Sequence, residues 1–228
     1  MRIDKFLAHN GYGSRNDAKK LIKAKLVMVN DELVTKATYI VDIENDVVSV
    51  DMEEIEYFEK VYYMLNKPAG YICSHESKNY PSVLDLIDTN HKDLIMVGRL
   101  DADTEGLLLV TNDGQFSHRV AHGKKEIPKT YYVELEEDFN EDYIEVFEGG
   151  IMLDEFLLKP AYTEVLTPRS IHLTISEGRY HQVKRMMHYA NNQVTYLNRR
   201  KIGHLALDES LAFGEYRDLS EEEIALFD

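Results

Sequence analysis

Between Gly98 and Gly114 the chain reads GRLDADTEGLLLVTNDG, and this stretch limits the possible folds more than any other. Val97 closes an apolar run and Gly98 breaks it. Leu107, Leu108, Leu109 and Val110 start a second short buried run, which Asn112-Asp113-Gly114 ends as a turn. The pattern predicts strand, polar loop, strand, turn. The loop carries Arg99, Asp101, Asp103, Thr104 and Glu105, several ionisable groups held between two pieces of scaffold, which is where binding and catalytic groups are usually mounted.

With 228 residues, 44% of them hydrophobic, the chain can bury a real core. The first 25 residues alternate charge with isolated apolar residues, and no apolar run is long enough to span a bilayer, so a soluble, cytoplasmic protein is expected. The single Cys73 excludes an internal disulfide and any zinc site with two Cys ligands. A net charge of −15 argues at first against a nucleic-acid partner, but its distribution reverses that reading. Residues 1–30 carry seven bases against two acids, residues 134–155 carry ten acids and no base, and residues 177–204 are again basic. Two basic patches on an acidic body suit a protein that grips RNA in defined places.

Ile3, Phe6 and Leu7 stand at helical spacing, and Gly11 and Gly13 end that helix. Ser14 offers an N-cap with Asp17 three residues on, and Ala18, Leu21 and Ile22 give a second helix its apolar face, with Lys19, Lys20 and Lys23 on the other. Short strands are expected near Leu26–Val29, Leu33–Thr35 and Val47–Val50. The segment RIDKFLAHNGYGSRNDAKKLIKAKLVMVN resembles the S-four-like RNA-binding module, in which the second helix lies along RNA. The resemblance implies RNA-facing roles for Arg2, Lys5, Ser14, Arg15, Lys19, Lys20 and Lys23. The acidic stretch Asp51–Lys60 reads as a linker, with a domain boundary near residue 57.

Four later motifs, LNKPAGYICS, GRLDADTEGLLLVTNDG, EIPKTYYVEL and EGRYHQVKRM, together resemble the pseudouridine synthases, within them the branch that modifies ribosomal RNA and carries an S-four-like domain. The resemblance implies an α+β architecture: a small helix-plus-sheet RNA-binding domain at 1–57, then a mixed or antiparallel-sheet catalytic domain at 58–228 with the active site in its cleft. It implies conversion of a uridine in RNA to pseudouridine, with no metal or cofactor. Asp101 matches the family's essential aspartate, Lys184 its basic partner and Tyr131 its active-site tyrosine. A carboxylate withdrawn from water stays ionised only if a cation or hydrogen-bond donors favour that form, which Lys184 would supply. An aromatic ring suits a uracil drawn out of the RNA stack, and if Tyr131 and Tyr132 lie on one strand, only one of them faces it. The tail from Ile202 resembles the branch acting on small-subunit RNA. The expected partner is therefore 16S ribosomal RNA, with the uridine at position 516 as target. The alternatives are a 23S synthase and a ribosome-assembly RNA binder without catalysis. A monomer is expected.

Arg99 is expected to organise the loop or hold a phosphate, and Thr104 and Gly106 to shape the turn that presents Asp101. Arg179, His181 and Arg185 are expected around the phosphates of the flipped nucleotide, and Arg199, Arg200 and Lys201 on the RNA backbone. Asp101, Asp103 and Glu105 mimic the start of a calcium loop, but Asn112 stands at its twelfth position and leucines occupy ligand positions. Asp101 with Asp103 makes a poor glycosidase pair, being two apart on one loop. His118 and His122 have the spacing of a zinc helix but lack its Glu and a third ligand.

Overall fold

A computed structural model describes residues 1–55, 60–75, 79–89, 93–121 and 126–228. The chain divides into two compact units, Met1–Lys60 and Val61–Asp228. Residue 57, the expected boundary, lies outside the described residues, as does His122.

In the first unit, α1 (Ile3–His9) and α2 (Arg15–Lys23) are followed by β1 (Val27–Val29), β2 (Glu32–Leu33), β3 (Val48–Val50) and β4 (Glu53–Ile55), which form an antiparallel sheet in the order β2-β1-β3-β4. The Ser14 hydroxyl accepts the Asp17 N–H and the Asp17 carboxylate accepts the Ser14 N–H, a reciprocal cap that starts α2 where the sequence placed it. Ile3, Phe6 and Leu7 of α1 pack with Ala18 and Ile22 of α2 on Val27, Val29, Val48 and Val50 of the sheet.

The second unit holds β5 (Tyr62–Lys67), a 3-10 turn at Val83–Leu86, β6 (Ile95–Val97), β7 (Glu105–Thr111), α3 (Gly114–Ala121), β8 (Lys129–Leu135), α4 (Tyr143–Glu148), β9 (Met152–Leu153), β10 (Phe156–Leu157), β11 (Tyr162–Thr167), β12 (Ser170–Ile175), α5 (Gln182–Tyr189), β13 (Val194–Ile202), β14 (Leu205–Ala206), β15 (Tyr216–Asp218) and α6 (Glu221–Ala225). Among the described residues, nine of these strands form one mixed sheet with the path β11-β12-β8-β13-β7-β5-β15, β14 pairing with β13 and β6 with β7, while β9 and β10 make a separate hairpin. Its pairs are antiparallel except β13 with β7.

That exception fixes the position of the loop. One edge of β7 is shared: Leu109–Thr111 pair with β6, whereas Glu105 and Gly106 pair with Asn198 and Arg199 of β13. As β6 ends at Val97, β13 takes over the edge, and residues 98–104 leave the sheet at the switch. Gly106 makes the junction possible. Its φ is +98°, and an added Cβ would lie 2.4 Å from the Arg199 carbonyl oxygen.

Two corrections to the expected elements follow from hydrogen bonding. Asn66-Lys67-Pro68-Ala69-Gly70 has the composition of a turn that would stop the strand after Leu65, yet Asn66 and Lys67 belong to β5. Asn112-Asp113-Gly114 leads straight into α3, because Asp113 Oδ1 accepts the N–H groups of Gln115 and Phe116.

Candidate active site

Loop 98–104 is held from beneath by the segment Lys67-Pro68-Ala69-Gly70. Lys67 is fully buried, and its ammonium donates to the carbonyls of Thr104 at 2.8 Å, Pro68 at 2.9 Å and Ala102 at 3.4 Å. The Gly70 N–H donates to the Ala102 carbonyl at 2.8 Å, and the Ala69 N–H to Glu105 Oε1 at 3.3 Å. Within the loop, the Thr104 N–H closes on the Asp101 carbonyl at 3.1 Å. Lys67 thus satisfies the Thr104 carbonyl, shares that of Ala102 with the Gly70 N–H, and holds the loop to its own segment through Pro68. Burial pushes its ammonium below the usual lysine range, against the pull of nearby acidic groups.

Asp101 opens into a cleft of about 780 Å³ whose lining includes Tyr131, Lys184 and Arg199. Lys184 Nζ, one turn into α5, lies 3.4 Å from Asp101 Oδ2 and 2.6 Å from Asp103 Oδ1. His181 Nε2 lies 3.6 Å from Asp101 Oδ1. Burial would raise the Asp103 carboxyl, but the Lys184 hydrogen bond and charge outweigh it and hold the group below the ordinary carboxylate range. The segment before α5 is tied down by Gln182, which is buried, accepts the Arg179 N–H at 2.9 Å and donates to Glu177 at 3.2 Å. His181 takes the left-handed conformation, φ 51°, as the cap residue, which turns the chain sharply into the helix.

Tyr131 and Tyr132 face opposite sides of β8, as alternation requires. Tyr131 is buried and lines the cleft, whereas the Tyr132 hydroxyl donates to Glu134 on the other side. The floor of the cleft is one face of the sheet: Lys129 and Tyr131 of β8, Leu197, Arg199 and Ile202 of β13, and Ile175 of β12. Arg179 stacks over Phe156 at 4.2 Å, and the Tyr180 ring stacks on His181 at 3.8 Å. A carboxyl group with a lysine shared between it and a neighbour, above a floor with an aromatic ring, can engage a sugar while the ring supports a flat base.

A sequence profile described as RNA pseudouridylate synthase matches residues 61–189, more than half of the chain. The chain belongs to that family. A second profile, the S4 domain, matches residues 1–48 of the synthase. Over 228 aligned residues the synthase is 45% identical to ribosomal small subunit pseudouridine synthase A of Escherichia coli (strain K12), which covers 99% of each chain. It is 42% identical to an uncharacterized RNA pseudouridine synthase of Bacillus subtilis (strain 168), covering 99% of this chain and 98% of the relative. A solved structure titled as a pseudouridylate synthase superposes with a TM-score of 0.73 at 41% identity, covering 100% of both chains. The synthase is accordingly an isomerase, with an α+β catalytic domain and an S4 domain.

The structure brings Asp101, Lys184, Tyr131, Arg179, His181 and Arg99 of the synthase to one cleft. Arg185 is not part of the cleft lining and binds Asp154 of the β9–β10 turn. Arg200 and Lys201 are exposed on β13, but Arg199 is buried, unlike the surface contact its sequence neighbours suggested. In the S4 unit, Lys5, Arg15, Lys19 and Lys23 are exposed, Lys20 pairs with Asp17 at 2.7 Å, and Arg2 pairs with Asp4 at 2.9 Å. Ser14 is engaged in capping α2. Sequence reasoning missed Lys67, hidden in what read as a turn signal, and the short Lys184–Asp103 contact, which loop spacing cannot reveal. His118 lies on α3, and no group of three or more potential metal ligands is gathered among the described residues. No helix among them is long and apolar enough to cross a membrane.

Proposed function

We propose that the synthase converts one uridine of 16S ribosomal RNA to pseudouridine, with the uridine at position 516 as the candidate target. The observation that carries this reading is the full-length similarity, tail included, to a relative named for the small ribosomal subunit. The substrate is free RNA or an assembling small subunit, the enzyme acts as a cytoplasmic monomer, and the S4 domain spans residues 1–57 with the catalytic domain at 58–228.

In this reading the target base leaves the RNA stack and enters the cleft against the Tyr131 ring. Asp101 engages the ribose, as nucleophile at C1′ or as base toward the C2′ proton, and either role needs the ionised carboxylate. Lys184 Nζ lies 3.4 Å from that carboxylate. Asp103 anchors the same ammonium at 2.6 Å, so Lys184 stays in the cleft before substrate arrives. His181, 3.6 Å from Asp101, adds a second donor when protonated. Arg99, Arg179 and Arg185 hold phosphates flanking the target, and Arg200 tracks the strand beyond. On the S4 domain, Arg2, Lys5, Arg15, Lys19, Lys20 and Lys23 face RNA, with Ser14 fixing the start of the helix that carries most of them.

The experiment is release of tritium from uridine labelled at carbon 5, with unmodified 16S RNA, 23S RNA and partly assembled small subunits compared. One tritium released per small-subunit RNA is expected. Release from 23S RNA alone would keep the chemistry and overturn the substrate. No release from any of the three would favour an RNA-binding assembly factor.

A further inference from the structure

The cleft floor contains a buried guanidinium with no ion-pair partner among the described residues. Arg199 is only 2% exposed; its Nε–H donates to the Leu107 carbonyl at 2.8 Å, while its buried Nη2 makes no hydrogen bond among the described residues. Ion pairs in the cleft join Asp101 and Asp103 to His181 and Lys184, Glu177 to Arg179 and Glu126 to Lys159, and none reaches Arg199 among the described residues. Its neighbourhood adds to the charge. Lys129 lines the same floor, and burial, then the Arg199 charge, push its ammonium down. Buried charges are normally paired and buried donors normally bonded. In a chain of net charge −15, a cation left alone at this depth points to a partner that arrives with the substrate.

The register indicates which part of the substrate that is. Arg199 is paired directly with Tyr131 across β13 and β8, and Leu197 lies two residues before it on the same strand, so the three side chains share one face. All three line the cleft. A backbone phosphate is confined to the RNA surface, whereas a flipped base is flat and enters such a site edge first. A uracil edge offers carbonyl oxygens that accept from a guanidinium.

We propose that Arg199 is a base-binding residue of the synthase, donating through its free N–H groups to a uracil carbonyl and stabilising the charge the base acquires as its glycosidic bond breaks. This rests on the isomerase reading above. In that step the C1′–N1 bond breaks and its electron pair stays on the uracil, spread over N1 and the carbonyl oxygens. C1′ is satisfied by the Asp101 carboxylate, or by the electron pair of the C2′–H bond whose proton Asp101 takes and later returns. Carbon 5 of the turned uracil then supplies the pair for the new bond to C1′, its proton leaves to solvent, and N1 takes up a proton in exchange, so that the product is an isomer of the substrate. Arg199 is unchanged throughout, and its charge matches the interval in which the base is an anion.

The test compares full-length wild type, Arg199→Met and Arg199→Lys in single-turnover reactions on RNA bearing uridine or 5-fluorouridine at the target. Loss of one such donor is expected to slow uridine isomerisation by about 100-fold while RNA affinity falls far less, by a few fold at most, and Arg199→Lys to restore part of the rate. With 5-fluorouridine, whose ring better bears the negative charge, the deficit in glycosidic cleavage should shrink severalfold. Equal deficits for both bases, or a wild-type rate in Arg199→Met, would overturn the assignment. A wild type inactive on every ribosomal RNA would instead overturn the function it rests on. Should the variants not fold, wild type alone decides by its binding of uracil against 5-nitrouracil, which is an anion at neutral pH. Tighter binding of the anion is expected, and equal binding contradicts the proposal.

Discussion

Lys67→Met removes the ammonium beneath the Asp101 loop while nearly keeping the side chain's length and volume. Two carbonyls, those of Thr104 and Pro68, lose donors at 2.8 and 2.9 Å, and that of Ala102 loses a weaker one at 3.4 Å. A buried acceptor left unsatisfied costs roughly 1–3 kcal/mol, which applies in full to the Thr104 carbonyl and in part to the half-buried Pro68 carbonyl, so the two short bonds give about 2–5 kcal/mol. Methionine no longer requires a charge to be buried, which offsets part of this, and a net loss of about 2–4 kcal/mol is expected. For a domain of this size that lowers Tm by roughly 5–15 °C. The loop that bears Asp101 would also lose its floor, so kcat should fall more than KM rises. Urea unfolding followed by circular dichroism, with tritium-release kinetics on the same preparations, measures both. A midpoint within error of wild type together with an unchanged kcat would refute the role assigned to Lys67.

Gly106→Ala should destabilise the catalytic domain by about 3 kcal/mol or more, because the new methyl group meets the Arg199 carbonyl at 2.4 Å and the Asn198 side chain at 2.5 Å at a φ of +98°; a thermal melt reads this, and an unchanged Tm would show that the β7–β13 junction is slack. Lys19→Ala with Lys23→Ala should weaken RNA binding and flatten its salt dependence by about two phosphate contacts, measured by filter binding across a salt series; an unchanged slope would remove α2 from the RNA interface. Near the C-terminus, hydrogen bonds from Ser210, then Arg217, hold the Asp208 carboxyl down to about 2 from an ordinary 3.8. A depressed carboxylate stabilises the fold above its unfolded value, so this contribution is complete above 3.8 and is lost as the pH falls from 3.8 through about 2. An NMR titration of Asp208 with its midpoint near 3.8 would contradict it.

The strands flanking the Asp101 loop, the capped α2 and the opposed faces of Tyr131 and Tyr132 were legible because each follows from local periodicity or from a cap whose partners are three residues apart. Long-range pairing was not legible. That β13 takes over the edge of β7 from β6, releasing the loop at the switch, depends on residues about ninety positions apart. The same distance hides Arg199: Arg-Arg-Lys reads as a basic surface run, yet the alternation of β13 turns its first residue inward beside Tyr131. Lys67 misled for a related reason. Asn-Lys-Pro-Ala-Gly carries the composition of a turn, but the lysine ends a strand and is buried because the loop above it supplies carbonyls.

The central claim, that Asp101 performs the chemistry in a cleft that binds RNA by other groups, is tested most directly by Asp101→Asn in the full chain, with RNA affinity and tritium release measured together on 16S RNA. The substitution keeps the shape of the side chain and removes its charge. Release should be abolished while affinity stays within a few fold of wild type. Affinity falling as far as activity, or release continuing, would contradict the account.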